Sequence, residues 1–263
     1  MSIDLRDIHK AFGPKKILRG LSLTVEEGET VSLVGFSGAG KSVTLKHING
    51  LLKPDTGTVF VDGLEVPRLP RDLLYKLRLD IGYVFQFAAL FDSMTVAENI
   101  RMGLVKKGGL SEKQMQERTA ESLKLVDLNG FENRFPAELS GGQRKRAGLA
   151  RAVAYRPKYL LYDEPTSGLD PVTTTVIDRL IMRMKEELGV TSLVITHDMK
   201  SAYTVSDRIA MLYEGRVVQV GTPDEIRASE NDIVRSFVEG RAELAHDAET
   251  PLPDDGGPHG RKR

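Results

Sequence analysis

The sequence predicts an α/β fold with a largely parallel core sheet and an inserted helical subdomain. Two short apolar segments without polar alternation, over residues 158–163 and 191–196, are typical of strands buried on both faces. Segments with helical spacing lie between such strands, which is the order of a parallel sheet covered by helices. Between about residues 90 and 155 the pattern is helical throughout, and this stretch predicts the insertion.

The first 85 residues predict antiparallel strands as well as strands of the parallel core sheet. Apolar and polar residues alternate over 3–8 and 21–25, which favours half-buried antiparallel strands. Apolar spacing, glycines and prolines then predict a strand over 30–35, a helix over 41–52, a strand over 58–63, a helix over 70–79 and a strand over 81–85. The strand over 30–35 runs directly into a glycine-rich loop.

The remaining elements follow from capping and turn signals. Asp92 or Ser93 is a candidate cap for a short helix, and Ser111 with Gln114 forms a capping box for a helix to about residue 126. The later elements are predicted as a helix over 171–188, a helix over 199–206, a hairpin over 208–220 and a last helix over 230–245. We predict one domain over residues 1–245 and a disordered tail over 246–263, where six of 18 residues are Gly or Pro.

Composition excludes several classes of function. Lys and Arg number 37, as do Asp and Glu, and a net charge of zero disfavours nucleic acid as a partner. The chain has no cysteine, so disulfides, thiolate metal sites and cysteine nucleophiles are excluded. Charges at the N-terminus and the lack of a long apolar run predict neither a signal peptide nor a membrane span, and therefore a cytoplasmic protein.

A glycine-rich loop between a predicted strand and a predicted helix matches the phosphate-binding P-loop pattern in full. It consists of Gly35, Phe36, Ser37, Gly38, Ala39, Gly40, Lys41 and Ser42, with Val43 next in the helix. Glycines allow consecutive backbone amides to face phosphate oxygens, and the helix N-terminus adds a favourable dipole. We expect Lys41 to contact the β- and γ-phosphates and Ser42 to ligate Mg²⁺. The loop alone indicates only a nucleoside triphosphate.

An acidic pair follows the apolar strand over 158–163. Asp163 is expected at the carboxyl end of the strand, beside the P-loop, where α/β sheets bind ligands. It could hold Mg²⁺, directly or through water, and Glu164 is placed to polarise an attacking water. The alternative is a solvated acidic pair at a strand end.

A second candidate anion site is formed by Ser140, Gly141, Gly142 and Gln143, just before a helical segment. Ser140 can cap that helix, and the two glycines expose its first amides. Because the P-loop is already a complete phosphate cradle, a second site suggests the nucleotide of a partner chain. An ordinary helix start is the alternative.

Together these motifs resemble the ABC ATPase family, over about residues 3–240. Leu139 to Gln143 reads LSGGQ, and the acidic strand begins 20 residues later, at Tyr159. In the same order Phe12 resembles the A-loop aromatic, Gln86 the Q-loop glutamine, Asp170 the D-loop aspartate and His197 the switch histidine. The alternatives are a core aromatic for Phe12, a solvated loop residue for Gln86 and a structural histidine for His197.

The resemblance implies a P-loop NTPase fold with an antiparallel β subdomain, and an ATPase that uses ATP and Mg²⁺. It implies catalytic roles for Lys41, Glu164 and His197, and Mg²⁺ ligation by Ser42, Gln86 and Asp163. Nucleotide contacts are implied for Phe12, Gln86, Asp170, the P-loop through Val43, and residues 140–143. It further implies a head-to-tail homodimer in which the P-loop of one copy faces Ser140, Gly141 and Gly142 of the other.

Four stretches, over residues 89–100, 139–152, 187–223 and 233–242, are similar to the ATPase of Mla-type lipid transporters. That resemblance implies phospholipid transport through a separate MlaE-type permease at the cytoplasmic face of the bacterial inner membrane. A small regulatory subunit and a lipid-binding substrate protein are further implied partners. A small-solute importer is the main alternative, followed by a soluble ABC protein of DNA repair or translation and, last, a GTPase.

Two apolar surfaces remain open to interpretation. Residues 88–100 would form a docking groove for the permease, and its apolar candidates are Leu90, Phe91, Met94 and Val96. The alternative is the core of the helical subdomain. The last predicted helix carries Ile233, Val234, Phe237 and Val238 on one stripe. That stripe would pack either on its own domain or on another subunit.

Overall fold

A computed structural model describes residues 2–241 of the 263-residue chain. The predicted disordered tail over 246–263 lies outside the described residues, as do residues 242–245 of the predicted last helix.

The larger of two sheets has six strands. They are β3 (Thr30–Val34), β6 (Ile81–Val84), β7 (Tyr159–Asp163), β8 (Thr191–Thr196), β9 (Arg208–Tyr213) and β10 (Arg216–Gly221), in the spatial order β10-β9-β3-β8-β7-β6. All neighbouring pairs are parallel except the edge pair β9 and β10. This sheet confirms the predicted largely parallel core and the predicted hairpin.

The smaller sheet has four strands and is antiparallel. It contains β1 (Ile3–Phe12), β2 (Lys15–Val25), β4 (Thr56–Val61) and β5 (Leu64–Glu65), in the order β2-β1-β4-β5. The alternating residues Ile3, Leu5 and Ile8 are at most 1% exposed, so the period-two pattern correctly marked the buried face.

Helices cover both faces of the larger sheet. Those described are α1 (Lys41–Ile48), α2 (Arg71–Leu79), α3 (Val96–Lys107), α4 (Glu112–Leu125), α5 (Gly141–Val153), α6 (Pro171–Leu188), α7 (Met199–Val205), α8 (Pro223–Arg227) and α9 (Asp232–Val238). Helices α3, α4 and α5 form the inserted helical part. Among residues 2–241, no helix combines the length and the apolar character needed to cross a bilayer.

Alternate residues of β7 face two separate apolar layers. Tyr159 and Leu161 pack in the layer between the two sheets, together with α1. Leu160 and Tyr162 pack in the layer shared by the helical part and α6. Because the buried side chains of α3 and α5 belong to this second layer, the helical part and the core sheet share one continuous interior.

Two predicted helices end earlier in the structure than the sequence pattern indicated. Helix α1 was predicted to residue 52 but ends at Ile48, and Gly50 follows with a φ of 67°. The last helix was predicted over 230–245, yet α9 spans only Asp232–Val238, and Gly240 follows with a φ of 67°. In both cases a glycine in the left-handed conformation follows the helix end.

The cap of α3 is also not the predicted one. Asp92 and Ser93 both precede the helix without capping it. Thr95 is the N-cap, because its hydroxyl accepts from the amide of Glu98 and the carboxylate of Glu98 accepts from the amide of Thr95.

The parallel strands place four predicted site segments along one edge of the sheet. The P-loop follows β3, Gln86 follows β6, Asp163 ends β7 and His197 follows β8. Since neighbouring parallel strands end at the same edge, the topology brings these segments together.

Candidate functional site

The P-loop joins β3 to α1, and its backbone depends on glycine. Gly40 is the N-cap of α1 with a φ of 108°. A Cβ at this position would lie 2.6 Å from Cδ2 of Leu18, so both the conformation and the space exclude a larger residue. Ser37 and Gly38 are exposed at the tip of the loop, while Ala39 and Val43 pack against the layer between the sheets.

Lys41 is buried at the base of the loop. Its Nζ donates to the backbone oxygens of Gly35 at 2.8 Å and of Phe36 at 3.3 Å, and it lies 3.8 Å from Oε1 of Glu164. Burial lowers the pKa of Lys41, and the negative charges of Glu164 and Asp163 partly oppose that shift. The site therefore holds a partly desolvated cation, which suits an anionic phosphate ligand.

Asp163 is held by hydrogen bonds to both carboxylate oxygens. The hydroxyl of Ser42 donates to Oδ1 at 2.8 Å, and the hydroxyl of Tyr83 donates to Oδ2 at 3.0 Å. Burial and the charge of Asp163 raise the pKa of Tyr83, which keeps the phenol protonated as a donor. Our sequence reasoning missed Tyr83, because its contact with Asp163 depends on the pairing of β6 with β7, which the sequence does not reveal.

Glu164 lies where β7 leaves the sheet, in a left-handed conformation with a φ of 50°. Its amide donates to the backbone oxygen of Ile195 at 2.9 Å. Its Oε2 lies 2.7 Å from Nδ1 of His197, whose side chain is 62% exposed. A non-glycine residue in this conformation is uncommon and is often found at functional sites.

Gln86 and Phe12 lie at two further parts of the site. The amide nitrogen of Gln86 donates to the hydroxyl of Ser167 at 3.2 Å, which links the segment after β6 to the segment after β7. Phe12 ends β1 and is 47% exposed, with Nζ of Lys10 5.7 Å from its ring centroid. An exposed ring face can stack on a base, and its exposure argues against the core-aromatic alternative.

Residues 141–143 form the first turn of α5, whereas the sequence placed them just before that helix. Ser140 is the N-cap, and a reciprocal capping box joins it to Gln143. The amides of Gly141 and Gly142 occupy the first two helical positions, where an amide has no partner inside the helix. A Cβ at Gly142 would lie 2.5 Å from Cγ2 of Thr173, so this glycine also allows α5 to pack closely on α6.

Two residues near this helix have roles the sequence did not indicate. Asp170 is the N-cap of α6 and accepts from the amides of Val172 and Thr173. A hydrogen bond from the hydroxyl of Thr173 is the largest factor that lowers the pKa of Asp170. Lys145 of α5 donates to the backbone oxygen of Glu164 at 3.4 Å, so α5 contacts the acidic strand end of its own chain.

The structure brings Lys41, Ser42, Asp163, Glu164 and His197 together as a network of two adjoining groups in a single chain. Lys41 and His197 both contact Glu164, and Ser42 contacts Asp163. Within residues 2–241, no hydrogen bond connects this network to residues 140–143. The two predicted anion sites are therefore separate in the hydrogen-bond network of one chain.

The donor set fits a hard divalent cation. The Ser42 hydroxyl and the Asp163 carboxylate are in contact at the head of α1, and oxygen donors of this kind are the usual ligands of Mg²⁺. Gln86 follows the neighbouring strand β6, and its side-chain amide donates to Ser167.

Comparison with known proteins agrees with this geometry. The family described as ABC transporter matches residues 18–167. The chain is 42% identical over 254 residues to "Protein TRIGALACTOSYLDIACYLGLYCEROL 3, chloroplastic" of Arabidopsis thaliana, covering 90% of this chain and 73% of that protein. It is 40% identical over 241 residues to "Probable ribonucleotide transport ATP-binding protein mkl" of Mycobacterium bovis, covering 92% and 67%.

A methionine importer component and two solved structures are also similar. "Methionine import ATP-binding protein MetN" of Carboxydothermus hydrogenoformans is 44% identical over 211 residues, covering 80% of this chain and 62% of that protein. A dimeric post-hydrolysis ATP-binding cassette, MJ0796 bound to ADP and Pi, superposes with a TM-score of 0.77 at 37% identity, covering 84% and 98%. The Clostridium perfringens protein cbiO1 does so with a TM-score of 0.80 at 30% identity, covering 94% and 98%.

The site and the fold define a P-loop ATPase cassette. The chain belongs to the ABC transporter family. Within that family it is the ATP-binding subunit, an ATPase whose hydrolysis is coupled to transport.

Proposed function

We propose that this chain powers the transport of a phospholipid through a separate MlaE-type permease at the cytoplasmic face of the bacterial inner membrane. The observation that carries the ATPase part is the Lys41, Glu164 and His197 cluster at one sheet edge. The lipid part is supported by the match over 254 residues to a relative whose name contains a galactolipid.

The cluster supports in-line attack of water on the γ-phosphate. Lys41 binds the phosphates with its ammonium group. Two backbone oxygens of the P-loop accept from this ammonium and hold it in place. Glu164 orients the attacking water and accepts its proton, while His197 holds the second oxygen of the same carboxylate. Ser42, Asp163 and Gln86 would hold Mg²⁺, which would supply positive charge against the phosphates.

A complete site requires a second copy of the chain. The amides of Gly141 and Gly142 are the donors that one chain offers to the γ-phosphate held by its partner. This arrangement is supported by the dimeric form of the MJ0796 cassette. With two such sites related by twofold symmetry, ATP binding closes the dimer and hydrolysis reopens it.

A contact between α5 and the segment after β6 provides a route from the nucleotide to the permease. Arg151 of α5 donates to the backbone oxygens of Ala88 at 2.8 Å and Ala89 at 2.5 Å. Gly148 of the same helix allows Ala88 to approach, because a Cβ there would lie 3.1 Å from the Cβ of Ala88. A movement of α5 therefore displaces residues 88–89 with it.

The permease surface differs in part from the one predicted. Val96 is fully buried and belongs to the interior, while Leu90 is half-buried and packs against the helical layer. Phe91 is 50% exposed, as a docking residue requires. Our sequence reasoning missed Phe85 and Phe87, which are 43% and 85% exposed.

Phe85 and Phe91 line a shallow cleft of about 410 Å³ beside α3. The cleft is lined by Tyr83, Phe85, Phe91, Met102 and Tyr155, among others. An apolar cleft rimmed by aromatic rings suits an amphipathic helix laid across it. We assign this cleft to the cytoplasmic helix of the permease.

A small-solute importer is the second candidate, because the methionine importer relative is 44% identical. Affinity purification of the chain from detergent-solubilised host membranes, with mass spectrometry of proteins and lipids, separates the two. A multi-span permease with enriched phospholipid supports the proposal. A permease with a solute-binding protein and no enriched lipid supports the importer instead.

The matched test variant is Phe91→Asp, which changes an exposed ring of the cleft outside the nucleotide network. This variant should lose the permease while retaining ATP binding. Recovery of the wild-type chain only from the soluble fraction would contradict both transport candidates.

A further inference from the structure

The P-loop carries a phenylalanine whose side chain contacts the C-terminal helix. The ring of Phe36 lies with its centroid 5.0 Å from that of Phe237 on α9, at an interplanar angle of 83°. It also lies 6.1 Å from the ring of Tyr213 at the end of β9, at an angle of 71°. Both are edge-to-face geometries, which favour a fixed ring orientation.

The backbone of the same residue contacts the phosphate-binding lysine. The carbonyl oxygen of Phe36 accepts from Nζ of Lys41 at 3.3 Å and from the amide of Ala39 at 3.2 Å. The side chain of Phe36 is therefore held by α9, while its carbonyl helps to hold the ammonium and the turn of the P-loop.

Helix α9 is itself fixed firmly on its own domain. Val234 is 1% exposed and packs in an apolar cluster with Val34, Met211 and Ile226. The side chain of Asn231 caps the helix by accepting from the amides of Ile233 and Val234. The apolar stripe predicted for the last helix therefore packs on its own domain, which decides between the two interpretations for Val234 and Phe237.

We propose that Phe237 is a positioning residue for nucleotide binding, acting through the ring of Phe36 to hold the P-loop and Lys41 in their binding geometry. This inference rests on the proposed ATP site. Phe237 lies 201 residues after Phe36 in the sequence, and the inference gives helix α9 a part in setting ATP affinity. No other residue of α9 reaches the P-loop through a ring contact among residues 2–241.

The test compares dissociation constants for a non-hydrolysable ATP analogue with Mg²⁺, measured by titration, for the wild type, Phe237→Leu, Phe237→Ala and Phe237→Tyr. If the contact between the rings of Phe36 and Phe237 is lost, its interaction energy corresponds to a decrease of about 2- to 10-fold in ATP affinity. We expect Phe237→Ala and Phe237→Leu to weaken ATP binding by that amount, and Phe237→Tyr to bind within 2-fold of wild type because the ring edge remains.

The matched control is Ile226→Ala on α8. Ile226 is 1% exposed and belongs to the same apolar cluster, but lies on a different helix. Its thermal stability should fall at least as far as that of Phe237→Leu, with ATP affinity unchanged. Equal weakening in the control, or unchanged affinity in Phe237→Ala, would overturn the positioning role. Failure of the wild type to bind ATP would instead reject the proposed function itself.

Discussion

Nδ1 of His197 lies 2.7 Å from Oε2 of Glu164, while the opposite oxygen of that carboxylate lies 3.8 Å from Nζ of Lys41. The glutamate thus bridges the residue after β8 and the head of α1. Its side chain is only 13% exposed, and its backbone is held in a left-handed conformation. This contact fixes the direction in which the carboxylate can approach a water molecule.

The first prediction concerns His197. His197→Ala removes the imidazole that contacts Oε2 of Glu164. We therefore expect kcat for ATP hydrolysis to fall about 100-fold or more, with ATP binding retained. His9→Ala is the matched control, because His9 also contacts a carboxylate, with Nε2 3.1 Å from Oδ1 of Asp7, but lies on β1. Steady-state phosphate release measures both. Equal rates for His197→Ala and wild type would contradict the role of His197.

The second prediction concerns Lys41. Lys41→Ala removes the buried cation and should weaken ATP binding and reduce turnover about 100-fold or more. Lys46→Ala, an exposed lysine in the same helix, should leave both unchanged. Isothermal titration and phosphate release report the two quantities. Tight ATP binding by Lys41→Ala would show that the ammonium does not hold the phosphates.

The third prediction concerns Tyr83, which donates to Asp163. Tyr83→Phe frees one carboxylate oxygen, so we expect the Mg²⁺ concentration that supports half-maximal ATP binding to change about 3-fold or more, since partners of a metal ligand tune its affinity. Nucleotide binding titrated with Mg²⁺ measures this change without turnover. Tyr75→Phe is the control, because its hydroxyl donates to Lys106 on α3 instead. An unchanged Mg²⁺ dependence of ATP binding would show that Tyr83 does not influence the Mg²⁺ site.

The fourth prediction concerns the pH dependence of stability. Asp178 of α6 is 4% exposed, and burial raises its pKa from 3.8 to about 6, although the hydroxyl of Ser201 donates to it. Because the unfolded chain loses this proton at lower pH than the folded protein, Asp178 lowers stability as pH rises through about 6.

Asp178→Asn removes this titration and keeps an acceptor for Ser201. Relative to wild type, we expect the free energy of unfolding of the variant to be about 1 kcal/mol larger at pH 8 than at pH 5, because only the wild type loses stability over this range. Urea unfolding at the two pH values measures the difference. A difference that does not change with pH would mean that Asp178 is not the titrating group.

Much of the fold and site could be predicted because strands that end beside the P-loop carry recognisable motifs. The positions of Lys41, Asp163 and His197 follow from the order of strand, loop and helix along a parallel sheet. Local turn chemistry was harder to predict. Thr95, rather than Asp92 or Ser93, caps α3, since only Thr95 has a glutamate three residues later.

Contacts between distant elements could not be predicted from motifs. Tyr83 reaches Asp163 only because β6 lies beside β7, and Phe237 reaches Phe36 only because α9 packs beside the P-loop. Exposure of Phe87 and burial of Val96 also depend on how the helical part packs on the sheet. Hydrophobic periodicity along the chain predicts local secondary structure, but it does not indicate which distant residues come into contact.

The most direct test of the composite site is the mass of Glu164→Gln in solution, measured by sedimentation with and without MgATP. The substitution keeps the shape of the side chain but removes the base, so ATP is bound and not hydrolysed. We predict a dimer that forms only with MgATP and that is lost when Ser140→Ala and Gly141→Asp are added in the second anion site, since a side chain at Gly141 meets no atom of its own chain within 4 Å. A Glu164→Gln chain that stays monomeric with bound MgATP, or that hydrolyses ATP at the wild-type rate, would contradict the account.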